Sequence, residues 1–391
     1  MKKNGKYIIW CGIIAIWALG CKKPYTPNVI SSNNNYLVVE GVINTGSDST
    51  VIRLSRTVNL SSGVTINPEL NATVAIQSDQ NQTYNLHSIG NGQYASAPLT
   101  LDNTHKYRLS IGTSDGKAFL SDYVPAIATP PIDSIGFTIL NNGIQIYINT
   151  HDPKNNTHYY RWDYNETWIF HAKYDSEWIS NDSTDVVPRT PDKKIYQCWG
   201  SSISTVITLG SSAKLSKDVI YQNPIIFIPA TSEKIESRYS ILLKQYAMTS
   251  DGYNYYTILK KNTEQLGSIF DAQPSQLTGN IHCTTDATLP VIGYISAGTV
   301  QQKRVYINNS QLPTWPPTYP YSCGLDTALY LSKGSDPVNQ VLQNLVPYPT
   351  TNIAVYAVFG LGPNPIGYTY SDAACADCSI RGSLTKPSFW Q

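Results

Sequence analysis

The residues of this chain with the most chemistry in them are its cysteines, seven in 391 residues. Cys21 has the clearest setting. Lys2, Lys3 and Lys6 precede an apolar run from Tyr7 to Leu19, and the run ends in Ala18-Leu19-Gly20-Cys21. The run is short for a membrane-spanning helix, which needs about 20 apolar residues. A basic head, an apolar middle and a small residue before a cleavage point mark an export signal. Gly20 suits a signal-peptidase cleft, and the Cys after it supplies the thiol that accepts diacylglycerol before cleavage makes it the first residue of the mature chain. Ala18 stands where Leu is commoner. The expectation is a bacterial lipoprotein, with residues 1–20 removed, Cys21 lipidated and the protein held on a membrane by its acyl chains.

Once Cys11 leaves with the signal and Cys21 is acylated, five cysteines remain: Cys198, Cys283, Cys323, Cys375 and Cys378. An exported chain meets an oxidising compartment, where cysteines pair. Five is odd, so one thiol is left over or has a partner elsewhere. The spacing Cys375-Ala376-Asp377-Cys378 fits a redox pair, half of a zinc site or part of a disulfide framework. Zinc wants a second ligand pair, and the nearest histidine, His282, stands beside Cys283 alone. Redox work wants a strand-to-helix junction, whereas Ser, Asp, Gly and Pro flank this segment. Structural disulfides that staple the C-terminal tail, to Cys323 or Cys283, are the expectation; the connectivity is open. No metal and no cofactor is expected.

His151-Asp152 and His158 are near enough in sequence to suggest a metal ligand set or a general base. Pro153 makes the stretch a turn, so solvated loop residues are expected instead. The single G-x-S-x-G spacing, Gly112 to Gly116, falls on the hairpin turn Ser114-Asp115-Gly116, and no H-E-x-x-H and no phosphate-cradling glycine loop occurs in the sequence. No catalytic residue is assigned, and a non-enzymatic role is expected. Two aromatic sets can face a ligand, since a flat ring gives much contact area at small entropic cost. Trp162, Trp168 and Trp178 read as core. The proline-flanked loop carrying Trp315, Tyr319 and Tyr321 is the candidate contact for a ligand or partner.

The elements that must position these residues are strands. Charged residues make up 14% of the chain, with 28 Tyr and 8 Trp against 2 Met, a balance that favours half-buried pleated sheet. Loss of three lysines with the signal takes the formal charge from +1 to −2, which leaves no electrostatic footprint for nucleic acid. Residues 21–35 read as a flexible tether. From Tyr36, period-two alternation at Leu37-Val38-Val39, Ile52 and Leu54, Val74 and Ile76, and Tyr107, Leu109 and Ile111 predicts a small antiparallel sandwich over 36–125, of the immunoglobulin or fibronectin kind. Pro125, Pro130 and Pro131 mark a connector. A larger β region over 126–391 is predicted to follow, with a hairpin at Asn141-Asn142-Gly143 and strands at Val291-Ile292-Gly293-Tyr294 and Val305-Tyr306-Ile307. Its one helix is expected near 251–266, capped by Ser250 or Asp251, stopped at Gly267 and packed on a sheet.

Several stretches together resemble a known set. They are Leu37-Val38-Val39-Glu40-Gly41 with Arg53-Leu54-Ser55-Arg56-Thr57, Cys198-Trp199 running to Asp218-Val219-Ile220-Tyr221, and Arg238-Tyr239-Ser240. Leu259 to Glu264, Gly267 to Asp271, Gly279-Asn280-Ile281, Pro290 to Tyr294, Cys375 to Cys378 and Lys386 to Trp390 extend the series. The chain resembles the DUF4249 family of Bacteroidetes lipoproteins. The resemblance implies a lipid anchor in the outer membrane, on a face left open, and a partner among TonB-dependent receptors, beside which such proteins are commonly encoded. An accessory role in nutrient uptake or receptor assembly follows from it. A glycan- or peptide-binding surface lipoprotein using the Trp315 loop is the second expectation. Only Cys21 carries over as a functional position.

Overall fold

The computed structural model describes residues 35–58, 63, 66–181, 185–264, 277–316, 319, 321–331, 337–346 and 351–391. The expected signal, Cys21, nearly all of the expected tether and Gly267 lie outside them. The described chain is mainly β, in sandwich-like layers.

The alternating residues of the first unit do what their period requires. Leu37, Val39, Ile52, Leu54, Val74, Ile76, Tyr107, Leu109 and Ile111 are all buried, and they share one core with Tyr94 and Phe119. The turn between strands Thr83–Gly90 and Gln93–Ala95 passes through Asn91 and Gly92 at φ of 50° and 70°. A Cβ on Gly92 would stand 2.3 Å from the Leu54 carbonyl oxygen, so only glycine serves there.

This unit is not confined to residues 36–125, as the sequence led us to expect. Leu37–Gly41 pairs antiparallel with Val51–Arg56 on one side and parallel with Val291–Gly293 on the other. Ile43–Asn44 and Val124–Ile127 both run parallel to Ala297–Gly298, and Ile281–Cys283 pairs with Ala118–Ser121. Ile281, Cys283, Val291, Ile295 and Ala297 complete the same core. A run such as Val291-Ile292-Gly293 announces a strand but not its neighbour. Parallel pairing needs a long crossover, so the partner lies far away in sequence.

The second unit is a sandwich of two antiparallel sheets. One has strand order Ile132–Leu140, Gly143–His151, Val219–Pro229; the other has order Gln197–Ile203, Tyr159–His171, Arg238–Ala247, Val300–Asn308. Ile144, Ile146 and Ile148 from the first sheet share a core with Tyr160, Trp162, Tyr239, Ile241 and Leu243 from the second. The expected hairpin at Asn141-Asn142 is present. Gln245, fully buried between the sheets, accepts from Trp162 Nε1 at 2.9 Å and donates to the Pro130 carbonyl at 2.8 Å and Thr150 Oγ1 at 3.0 Å. A buried amide is tolerated because both of its ends are satisfied.

The helix runs over Ser250–Glu264. Its cap is Thr249, whose Oγ1 accepts from Gly252 N at 3.2 Å, rather than Ser250 or Asp251. It joins the two units: Tyr255 packs on Tyr294 of the returning segment at 5.4 Å, and Tyr253 on Tyr159 of the second sandwich at 5.1 Å. A separate three-stranded sheet of strands Asp326–Leu329, Pro365–Asp372 and Asn352–Phe359 lies near the C-terminus. A short hairpin, Trp178–Ser180 with Val186–Pro188, lies beside it, and its Trp178 packs on Tyr368 of this sheet at 4.9 Å.

Candidate functional site

Strand Tyr159–His171 alternates aromatic and polar residues, which sorts them to two faces. Tyr160, Trp162 and Tyr164 enter the core. Arg161, Asp163 and Asn165 emerge on the other side, on the floor of a cleft of about 870 Å³. Strand register extends that floor: Arg161, Tyr246 and Val300 form one row, and Asp163, Lys244 and Gln302 the next. The first unit provides a facing wall, where Glu40, Arg53 and Gln93 form a cross-strand row. Asp48 of that wall accepts from Gln302 Nε2 of the floor at 3.0 Å. The third side is the helix, through Tyr256, Leu259 and Glu264, with the loop 203–207. Glu264 Oε1 accepts from Ile207 N at 2.6 Å, and Lys260 Nζ donates to the Ile207 carbonyl at 2.7 Å, so loop and helix are tied together.

The electrostatics of the cleft centre on Arg161. Its guanidinium lies 4.7 Å from the ring centroid of Tyr246 and 4.6 Å from that of Tyr256, and it pairs with Asp163 at 3.2 Å. Its Nε is buried without a hydrogen-bond partner among the described residues. Burial, reinforced by the Asp163 carboxylate, holds the Tyr246 phenol well above its ordinary range, so that it stays neutral. The side chains of Lys244, Arg53 and Glu40 make neither an ion pair nor a hydrogen bond among the described residues. An arrangement with charged groups of both signs left over is suited to holding a polar solute.

The family described as a domain of unknown function, DUF4249, matches residues 22–304. The chain belongs to the DUF4249 family. The matched span contains the floor, wall and helix of the cleft, and it ends before the Cys375–Cys378 and Lys386–Trp390 segments that the sequence likeness also drew on. No curated protein matches the chain.

In this DUF4249 chain the residues singled out from sequence fall elsewhere. Trp315 is half-buried and packs against the core of the second sandwich. Tyr319 and Tyr321 are half-buried as well, and Arg381 lies over the Tyr321 ring at 5.4 Å. Trp162 and Trp168 are core residues, as the sequence led us to expect. The five cysteines resolve into Cys198–Cys378 and Cys323–Cys375, with Cys283 free and buried. Cys375 and Cys378 therefore belong to two different staples. Cys378 is held by Cys198 of the second sandwich, a partner the sequence did not single out, and Cys283 takes no part. Among the described residues no three His, Cys, Asp or Glu side chains stand where they could hold a metal ion.

His151 Nδ1 lies 2.8 Å from Asp133 Oδ2 at the exposed end of its strand, and this hydrogen bond raises its pKa. Asp152 shapes the following turn by accepting from the backbone N–H groups of Lys154, Asn156 and Thr157. Burial pushes its pKa up, but these hydrogen bonds outweigh it and the net shift is downward. His158 does meet a serine: its Nδ1 is 3.2 Å from Ser212 Oγ. Ser212 is fully buried and gives its proton to the buried Asp218, which also accepts from Tyr160 and Thr157. A nucleophilic triad needs the carboxylate behind the imidazole, whereas here it binds the serine directly. The cluster ties the Tyr159 end of the strand to the Asp218 loop.

The cleft is not visible in the sequence because its residues come from seven separated segments. One signal was there: Arg161 and Asp163 stand opposite the aromatic face of their strand, although a strand against solvent would show the same pattern.

Proposed function

We propose that the protein is a lipid-anchored, non-enzymatic accessory protein of the outer membrane, acting beside a TonB-dependent receptor in nutrient uptake or receptor assembly. The observation that carries this reading is the pair of disulfides, Cys198–Cys378 and Cys323–Cys375, in a chain whose N-terminal apolar run ends in Gly20-Cys21. Disulfides persist outside the reducing cytosol, so the folded part and the signal point to the same compartment. The family resemblance adds the receptor as partner.

A clickable fatty acid fed to the native host should label the protein, and Cys21→Ser should abolish both the label and sedimentation with the outer membrane. Affinity capture from detergent-solubilised outer membrane should bring down a receptor barrel. Recovery of an unlabelled protein alone, released by osmotic shock, would count against the whole reading.

A second reading, a surface lipoprotein that binds glycan or peptide, is favoured by the cleft more than by the Trp315 loop. The cleft has the volume and the spare polar groups, while the loop rings are partly committed to packing.

A further inference from the structure

The charges left over in the cleft are of both signs: Lys244 on the floor, and Glu40 with its cross-strand neighbour Arg53 on the facing wall. Lys244 rises from the floor, beside Asp163, whose carboxylate is already held by Arg161. Glu40 belongs to the first-unit wall, and the other two lining carboxylates, Asp48 and Glu264, are occupied by Gln302 and by the Ile207 N–H. Two cations and one anion are thus left over, so a ligand that completes this site carries at least one anionic and one cationic group. The side-chain amides of Asn165 and Gln93, on floor and wall, make no hydrogen bond among the described residues. Each offers both a donor and an acceptor, as a peptide group requires.

Two further features separate a peptide from a sugar. The rings of Tyr246 and Tyr256 each have a face covered by the Arg161 guanidinium, which removes the open platforms a pyranose would stack on. The rim also carries exposed apolar side chains, Ile203, Val206 and Val51, which a sugar has no use for and amino-acid side chains do. A volume of about 870 Å³ falls within the range of pockets that take a small molecule whole, roughly 300–1,000 Å³.

We propose that this cleft binds short peptides with free termini, the ligand carboxylate meeting Lys244, its ammonium meeting Glu40 and its side chains resting on the Ile203–Val206 rim. Binding needs both β units, because floor and wall come from different ones. It needs no receptor, so it stands or falls separately from the partnership proposed above.

The test uses the purified full chain in detergent and an equimolar pool of tripeptides with free termini, read by saturation-transfer difference NMR and calorimetry. The pool binds, and N-acetylation or C-terminal amidation of the pool each weakens binding at least about tenfold, as loss of a charge-assisted contact does. Lys244→Ala reproduces the effect of amidation and Glu40→Gln that of acetylation, and each variant becomes indifferent to its matching cap. Both residues lie outside the hydrophobic cores, so an unchanged thermal transition confirms that the variants are folded. No binding of the free pool, binding indifferent to capping, or preference for a pool of oligogalacturonates or neutral oligosaccharides overturns the proposal.

Discussion

The first β unit and the small C-terminal sheet are held together by different means. The first gathers Leu37, Ile52, Leu54, Ile76, Tyr94, Tyr107, Leu109 and Phe119 with five residues of the returning segment into one large core, and its single cysteine, Cys283, is a free buried thiol. The C-terminal sheet has a small core of Val186, Ala328, Val341, Leu345, Val346, Ala354 and Tyr368. Next to it, Cys323–Cys375 and Cys198–Cys378 tie the end of the chain back on itself and onto the second sandwich. A small unit buries too little apolar surface to offset the entropy of ordering its chain, and cross-links make up the difference. Where burial suffices, a cysteine is merely a compact apolar side chain.

The largest effect expected from this contrast is in the first unit. Phe119→Ala should cost about 3–5 kcal/mol in urea unfolding, because a fully buried ring leaves a cavity behind. The loss should be the same with the disulfides reduced. A cost under about 1 kcal/mol would mean that the core is looser than its burial suggests.

Cys198→Ser with Cys378→Ser should cost somewhat less, about 2–5 kcal/mol. Hydrogen exchange should then quicken over residues 373–391 and leave Leu37–Gly41 and Lys106–Gly112 protected. Equal loss of protection in both places would erase the distinction between the two units.

Trp315→Ala should lower stability by about 1–2 kcal/mol, since a half-buried ring surrenders part of its burial energy. If it left stability untouched while abolishing ligand binding, the aromatic loop would displace the cleft as the binding surface.

The smallest effect is a pH dependence where the tail is stapled to the second sandwich. His171 pairs in register with Gln197, beside Cys198, and its Nδ1 lies 3.1 Å from Glu236 Oε1. That hydrogen bond raises its pKa above the ordinary value of about 6.5, against the opposing effect of burial. Its contribution is fully present below about pH 6.5 and is lost as the pH rises through the raised folded value. His171→Gln should flatten stability across that window; an unchanged slope would show that the pair does not titrate with folding.

How much of this was legible depended on how local the cause was. Period-two burial at Leu37, Ile52 and Leu109, the Asn141-Asn142 hairpin and the helix near 251 follow from neighbours a few residues apart, and all are found. The assignment of 281–298 to the first sheet was hidden, because one strand edge chooses another by shape and not by sequence distance. The Cys198–Cys378 pair was hidden for a related reason: spacing shows which thiols are present, while pairing needs their Cα atoms within about 7 Å. The cleft was least legible, since Glu40, Arg161, Lys244 and Tyr256 acquire a common purpose only after two sheets and a helix have met.

The parallel pairing of Leu37–Gly41 with Val291–Gly293 has a consequence for the newborn chain. On the export proposed above the chain emerges N-terminus first, so Leu37–Gly41 reaches the compartment where it folds before Val291–Gly293 does. Until then one margin of the nascent sheet has hydrogen-bonding groups with nothing to meet, a template for association with other chains. The protein should thus depend on a holding chaperone early in its life, and a circular permutant that places 281–298 ahead of residue 36 should shed that dependence.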